Sequence, residues 1–531
     1  MLRRVWKPVA ATVLVGTPTY IYFRTYYTPS QSFEIPVKIK GASGKTEMSS
    51  RKFSLLPLKD VEAKLTENAV SETHVRPNGI KWKYSTATLA SNDPIEDANA
   101  NQIVERDASD FSAPGDYLFF AVMDGHGGYD TSRLLSRILI KGVALELSNL
   151  TKNSSTKPQS GLLDRVRSLF WSTPATSKKP LDADPKRVSA AIQDAFTNLD
   201  TELLETPLRI LANNISPEQW KEKVIPDLSK HPLALTSMLP AISGSCALMA
   251  VFDTAHDNMY VACTGDSRAV SAVWESTEDG KGQWKIEVLS EDQTGRNPSE
   301  LQRVRSEHPK DEEEFVVRNG RILGGLEPSR AFGDARYKWP RIVQETLNEA
   351  FMVGNGKNMR PPPALFKTPP YVTARPVVTH QKMTPASATN HPTRFLILAT
   401  DGLWDELSND EVVSLVAGHL AGLKGTIPKS ELPNLVSTTT GSAGIDGKRE
   451  REKGQTEGSW AFVDDNLSAH LIRNALGGGD ETTLRRRVSI PSPFSRRFRD
   501  DITVTVVTWE ESKDQEGESK QQTTPHIKSK L

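Results

Sequence analysis

The chain has 531 residues, in which 66 Lys+Arg balance 66 Asp+Glu and 37% are apolar. Zero net charge excludes a whole-chain basic field for nucleic acid. The two cysteines, Cys246 and Cys263, exclude a disulfide framework and CxxC-type zinc spacing. The length allows one large domain with insertions or two or three smaller ones.

Residues 1–35 carry Arg3, Arg4 and Lys7 ahead of an apolar stretch, Val9 to Phe23, with no acidic residue before Glu34. A basic, hydroxylated, acid-free segment has the composition of a mitochondrial presequence. The stretch is shorter than the ~20 residues that span a bilayer comfortably. A sorting signal, a marginal membrane anchor through residues 9–23 and a secretory signal peptide all stay open, with the missing disulfides arguing against secretion. Residues 36–78 are expected to be a linker and extension. Folded pattern then runs over 79–510. Its strand candidates are Tyr117–Met123, Cys246–Phe252, Met259–Cys263, Ala269–Trp274, Phe395–Ala399 and Ile502–Trp509, all rich in β-branched and aromatic residues. Both cysteines lie in these apolar runs and are expected as buried thiols. Helix candidates are Thr131–Leu147, Pro185–Glu205, Pro298–Ser306 and Asn409–Leu420, from apolar spacing and capping residues. The strands cluster in hairpin-like pairs without strict strand-helix alternation, which implies α+β architecture with antiparallel sheets covered by helices.

Four stretches, near 149–180, 355–370, 423–459 and 477–498, are rich in Ser, Thr, Pro, Gly or Lys and are expected to be disordered surface insertions. In the last, Arg485-Arg486-Arg487 precede Ser489, a candidate phosphorylation site if the loop is flexible. Residues 511–531 form a polar tail ending in Ser529-Lys530-Leu531, the form of a peroxisomal receptor address.

Several acidic motifs share one expected position, the end of an apolar strand. Asp124-Gly125-His126 follows Tyr117–Met123, and Asp401 to Asp405 follows Phe395–Ala399. Gly265-Asp266 follows Met259–Cys263, Asp500-Asp501 precedes Ile502, and Glu96-Asp97 follows Pro94-Ile95. Taken singly, an Asp-Gly pair is more often a turn than a ligand. If the strands lie side by side the carboxylates converge, and close carboxylates repel unless a cation neutralises them. An all-oxygen set suits Mg²⁺ or Mn²⁺ better than zinc.

In this order Glu96-Asp97, Asp-Gly-His-Gly-Gly at 124–128, Ser-Gly-Ser-Cys-Ala at 243–247, Gly-Asp-Ser-Arg at 265–268, Asp-Gly-Leu-Trp-Asp at 401–405 and Asp-Asp-Ile-Thr-Val at 500–504 resemble the motif set of type-2C protein phosphatases. Asn92 to Asp97, and Gly324 to Asp334 continuing to Trp339, are similar to the pyruvate dehydrogenase phosphatase branch. The resemblance implies a β-sandwich of two antiparallel sheets flanked by α-helices. It implies hydrolysis of phosphoserine or phosphothreonine by a water bridging two Mg²⁺ or Mn²⁺ ions. Carried over by motif, Asp97, Asp124, Asp401 and Asp500 bind the two ions through side chains and Gly125 through its carbonyl. Glu96 holds a metal-bound water, Asp266 and Asp405 belong to a third, weaker metal site, and His126 is the general acid. Many family members carry Arg at the position of Asn92, where it grips the substrate phosphate; Asn92 is the counterpart here. The implied partner is a phosphoprotein, with pyruvate dehydrogenase E1α the candidate substrate, and no nucleic acid. A catalytically weak relative acting as a regulatory binding protein and a two-metal nuclease are the competing readings.

Overall fold

The computed structural model describes residues 31–40, 46–76, 79–106, 114–152, 181–277, 282–383, 393–442 and 457–511. Two sheets pack face to face. One has five strands, in spatial order Val377–Lys382, Asn258–Thr264, Ala247–Asp253, Asp116–Met123 and Ala98–Glu105. The other has seven, in order Thr438–Ser442, Gln283–Val288, Arg268–Glu275, Thr393–Ala399, Ile502–Glu511, Ile80–Leu89 and Val70–Val75. All neighbours are antiparallel except Gln283–Val288 beside Thr438–Ser442.

The pleat explains the layering. In Asp116–Met123 every residue is buried. Leu118, Phe120 and Val122 point between the sheets, where they meet Trp82, Phe252, Leu398 and Trp509. Phe119, Ala121 and Met123 point the other way, onto Leu135, Leu139 and Val143 of helix Asp130–Lys152 and onto Ile192 and Phe196 of helix Pro185–Asn214. The second sheet is covered likewise, with Phe395, Ile397, Val504 and Val506 against Val412 and Val416 of helix Asn409–Leu420 and against Leu471 and Ile472. Fully burying one such side chain contributes about 1.5–3 kcal/mol. Two apolar faces per strand are why these strands read as continuous apolar runs rather than as alternating patterns.

The predicted strands and helices are present with shifted ends; helix Pro185–Asn214, for example, runs past Glu205. Four expectations fail. Residues 36–78 are not a linker where described. Ser32–Lys40 and Thr46–Ser54 form a hairpin, Leu58–Thr66 is a helix with Val61 and Leu65 in the core, and Val70–Val75 is the edge strand of the large sheet. That strand is mostly exposed, so its sequence carries little apolar signal. Residues 477–498 are not disordered. Helix Glu481–Ser489 inserts Leu484 and Val488 into the core, and the Ser489 hydroxyl donates to Arg485 O and accepts from Leu56 N, so it is no free loop hydroxyl. The prolines near 361–363 lead into a packed turn in which Tyr371 accepts hydrogen bonds from Lys367 N and Thr368 N. Residues 423–459 are ordered where described: Gly425–Pro428 and Thr438–Ser442 are strands, and Ile427, Leu432 and Val436 enter the core. Residues 153–180 and 443–456, the stretch 9–23 and the C-terminal tripeptide lie outside the described residues. Among the described residues no helix is long and apolar enough to cross a membrane. Both thiols are buried, as expected.

Candidate metal centre

Register brings the acidic motifs to one end of the sandwich. Ala98 pairs with Met123, which sets Asp97 beside Asp124. Ala399 pairs with Val504 and with Arg268, which sets Asp401 close to the start of Ile502–Glu511 and to Asp266. Asp124, Asp266 and Asp401 each offer a carboxylate oxygen within 4.8 Å of the others. Metal–oxygen bonds of about 2.0–2.6 Å can bridge such a separation.

The loops around these carboxylates are fixed by specific bonds. Thr400 Oγ1 donates to Asp97 Oδ2 at 2.8 Å and accepts from Thr503 N at 2.9 Å, tying two strand ends to the ligand cluster. Cys246 N donates to Asp124 O at 2.8 Å, and the Cys246 thiol to Asp266 Oδ1 at 3.2 Å. Gly125 has no room for a side chain, because a Cβ would meet the Glu96 carbonyl and Ser132 Oγ. Glu96 is half-buried and accepts from Gly128 N at 2.7 Å. Asp405 lies one helical turn beyond Asp401 and is exposed.

The electrostatics follow from this crowding. Burial, then the neighbouring charges of Asp401, Asp97 and Asp266, push the Asp124 carboxyl well above the usual range. Burial, then Asp501, does the same to Asp97 against the help of Thr400 and Thr503. Burial also raises Glu96. Groups of this kind hold their charge only beside a cation, and an oxygen-only donor set fits a hard divalent ion.

Three findings depart from the sequence reading. Asp501, rather than Asp500, is the buried member of its pair. It accepts from Ser91 N, Asn92 N, Asn92 Nδ2 and Glu96 N, and so shapes the loop that carries Glu96 and Asp97. Asp500 is half-exposed and ion-paired with Arg496. Asn92 does not face outward as a phosphate clamp, since its amide donates to Glu96 Oε2 at 3.2 Å and Asp501 Oδ2 at 2.9 Å. Asp334 is a site residue that sequence reasoning missed, although its motif was in view. His126 Nε2 lies 2.7 Å from Asp334 Oδ2, and Asp334 adopts a left-handed backbone, φ 53°, after Gly333 at φ 68°. Burial opposes the charged imidazolium, but Asp334 together with the charges of Asp266 and Glu96 outweighs it and raises the His126 pKa. Gly244 allows the contact, because a Cβ there would strike both His126 Nε2 and the Asp334 carboxylate. The signal available in the sequence was an acidic residue directly after a glycine, but its partner is 208 positions away.

A two-sheet sandwich ending in an oxygen-only carboxylate cluster with a carboxylate-paired histidine beside it defines a metal-dependent hydrolase. The protein phosphatase 2C family profile matches residues 198–425. The chain is 36% identical to the mitochondrial [pyruvate dehydrogenase [acetyl-transferring]]-phosphatase 1 of Saccharomyces cerevisiae, over 88% of this chain and 76% of that protein. It is 35% identical to a protein phosphatase 2C homologue of Schizosaccharomyces pombe, over 82% of each chain. It is 30% identical to the human mitochondrial [pyruvate dehydrogenase [acetyl-transferring]]-phosphatase 2, over 81% of this chain and 78% of that one. The chain belongs to the type-2C family of metal-dependent protein serine/threonine phosphatases.

Proposed function

We propose that the chain removes phosphate from phosphoserine in the pyruvate dehydrogenase complex, at a centre holding two Mg²⁺ or Mn²⁺ ions. The convergence of Asp124, Asp266 and Asp401 at one sheet end carries the metal reading. The names of the similar proteins support the substrate and a mitochondrial location. Asp97, Asp124, Asp401, Asp500 and the Gly125 carbonyl are assigned to the two ions, and Asp266 and Asp405 to a weaker third. Asp501 is left out because its oxygens are already committed to four donors. When bound, the ions neutralise the phosphoryl group and provide a nucleophilic water.

The chain's own groups do the rest. Glu96, fixed by Gly128 N, orients the attacking water. His126 supplies the proton that the leaving serine oxygen needs. Its Nε2 is turned to Asp334, which leaves Nδ1–H to be given up. Asp334 beside Nε2 favours the charged imidazole, against the effect of burial.

The test is phosphate release from phosphorylated E1α by the purified chain with Mn²⁺, against a metal-free control and against single-stranded DNA as substrate. Release from E1α at the rate of an unrelated phosphoprotein would remove the substrate assignment, and DNA cleavage would remove the phosphatase assignment. Residues 9–23 are proposed as part of a mitochondrial entry signal, and Ser529-Lys530-Leu531 as an address for a minor peroxisomal pool. An internally tagged chain whose distribution ignores removal of the last three residues would refute the second address.

A further inference from the structure

A phosphate dianion entering this end of the sandwich meets the carboxylates of Asp97, Asp124, Asp266 and Asp401, so its outer oxygens need a cation from the protein itself. Asn92 supplies none, since it is neutral and its amide donates inward, to Glu96 and Asp501. The guanidinium groups nearby are mostly committed. Arg499 is buried and donates to Ala90 O at 2.7 Å. Arg268 is buried against Asp292 at 2.6 Å. Arg133 lies over the Tyr129 ring.

Arg496 differs. Its side chain is 41% exposed, its Nη1 pairs with Asp500, and its charge reaches Glu96. It is carried on a rigid base. Ser495 is 1% exposed and its hydroxyl donates to Ser91 O at 2.5 Å, which staples the turn Ser495–Arg497 to the loop holding Asn92, Glu96 and Asp97. Phe494 and Phe498 anchor the same turn against Ile35 and Val37 of the N-terminal hairpin. A guanidinium held at the mouth of the centre by one N–H keeps its remaining donors for a fork-like grip on phosphate oxygens.

We infer that Arg496 is the side chain that binds the substrate's phosphoryl group, taking the part that Asn92 cannot. The inference rests on the phosphatase reading above. It gives the C-terminal basic turn a direct role in recognition, with Asp500 Oδ1 orienting the guanidinium and Asp500 Oδ2 left for a metal ion.

The experiment compares wild type, Arg496→Ala and Arg496→Lys, all as full chains. Three quantities are measured: KM for a phosphoserine peptide, the inhibition constant of orthophosphate, and Mn²⁺ affinity by calorimetry without substrate. Arg496→Ala is expected to raise KM and the orthophosphate constant about tenfold or more, the scale of one charged hydrogen-bonded contact. Mn²⁺ affinity is expected to change less than about twofold, and Arg496→Lys to recover part of the loss. An unchanged orthophosphate constant in Arg496→Ala overturns the inference. So does a parallel fall in Mn²⁺ affinity, because Arg496 would then act through Asp500. A wild type that binds Mn²⁺ and orthophosphate yet releases none from phosphoserine would sink the catalytic reading instead, and the orthophosphate constants would still decide on Arg496.

Discussion

Two buried acidic clusters in this molecule use the same residue types in opposite ways. On the flank, Glu300 is buried between Arg330 and Arg303, with contacts of 2.7 Å to each, and also accepts from Ser329 Oγ at 2.6 Å. Burial would raise its carboxyl, but the two guanidinium groups win and draw it down to about 2. At the sheet end, Asp97 and Asp124 are surrounded by other carboxylates, and burial and repulsion act together to raise them. The first cluster is complete within the chain and holds helix Pro298–Ser306 to the segment around Arg330. The second is incomplete without a cation. Buried acid alone therefore does not mark a functional site; buried acid lacking its counter-charge does.

The comparison can be broken by substitution. Asp401→Ala should cut Mn²⁺-dependent turnover about a thousandfold or more, while the metal-free protein melts no lower than wild type, because a repulsive charge has gone. Full turnover at limiting Mn²⁺, or a clear drop in metal-free melting temperature, would show that Asp401 belongs to the structural kind. Glu300→Ala should do the reverse, destabilising the fold by about 3–5 kcal/mol by leaving the buried Arg330 without its carboxylate, as urea titration would read. Its pH dependence has a definite sign. A folded pKa near 2, below the 4.5 of the free group, stabilises above pH 4.5, and that contribution is lost as pH falls toward 2. The gap between wild type and Glu300→Ala should narrow over that window. The smallest effect is expected at Asp334→Asn, where loss of the charge beside His126 should slow phosphoserine peptide hydrolysis about a hundredfold. Para-nitrophenyl phosphate, whose leaving group needs no proton, should suffer much less; equal losses would make Asp334 a purely structural residue.

Asp124, Asp266 and Asp401 were legible because each sits next to a run of apolar residues whose strand character is plain. Tyr117–Met123 and Phe395–Ala399 announce where Asp124 and Asp401 must emerge. Asp334 was not legible as the partner of His126, because a short bridge between Phe332–Gly333 and Gly244–Ser245, and another from there to Gly125–His126, brings them together with no local periodicity. The division of labour between Asp500 and Asp501 was hidden for a similar reason, since adjacent acids look alike until one is seen to face four N–H donors. Residues 36–78 were read as linker because an exposed edge strand and a polar hairpin bury too few residues to show a pattern.

The strand Ile502–Glu511 lies in the interior of the seven-stranded sheet, hydrogen-bonded on one side to Thr393–Ala399 and on the other to Ile80–Leu89. A ribosome delivers this strand after nearly everything else. Until then Ile80–Leu89 has no neighbour on that side, and the loop around Glu96 lacks the carboxylate of Asp501 that organises it. The large sheet and the loop that carries Glu96 and Asp97 are thus complete only once this one strand is in place, so the core and the acidic cluster share a single keystone.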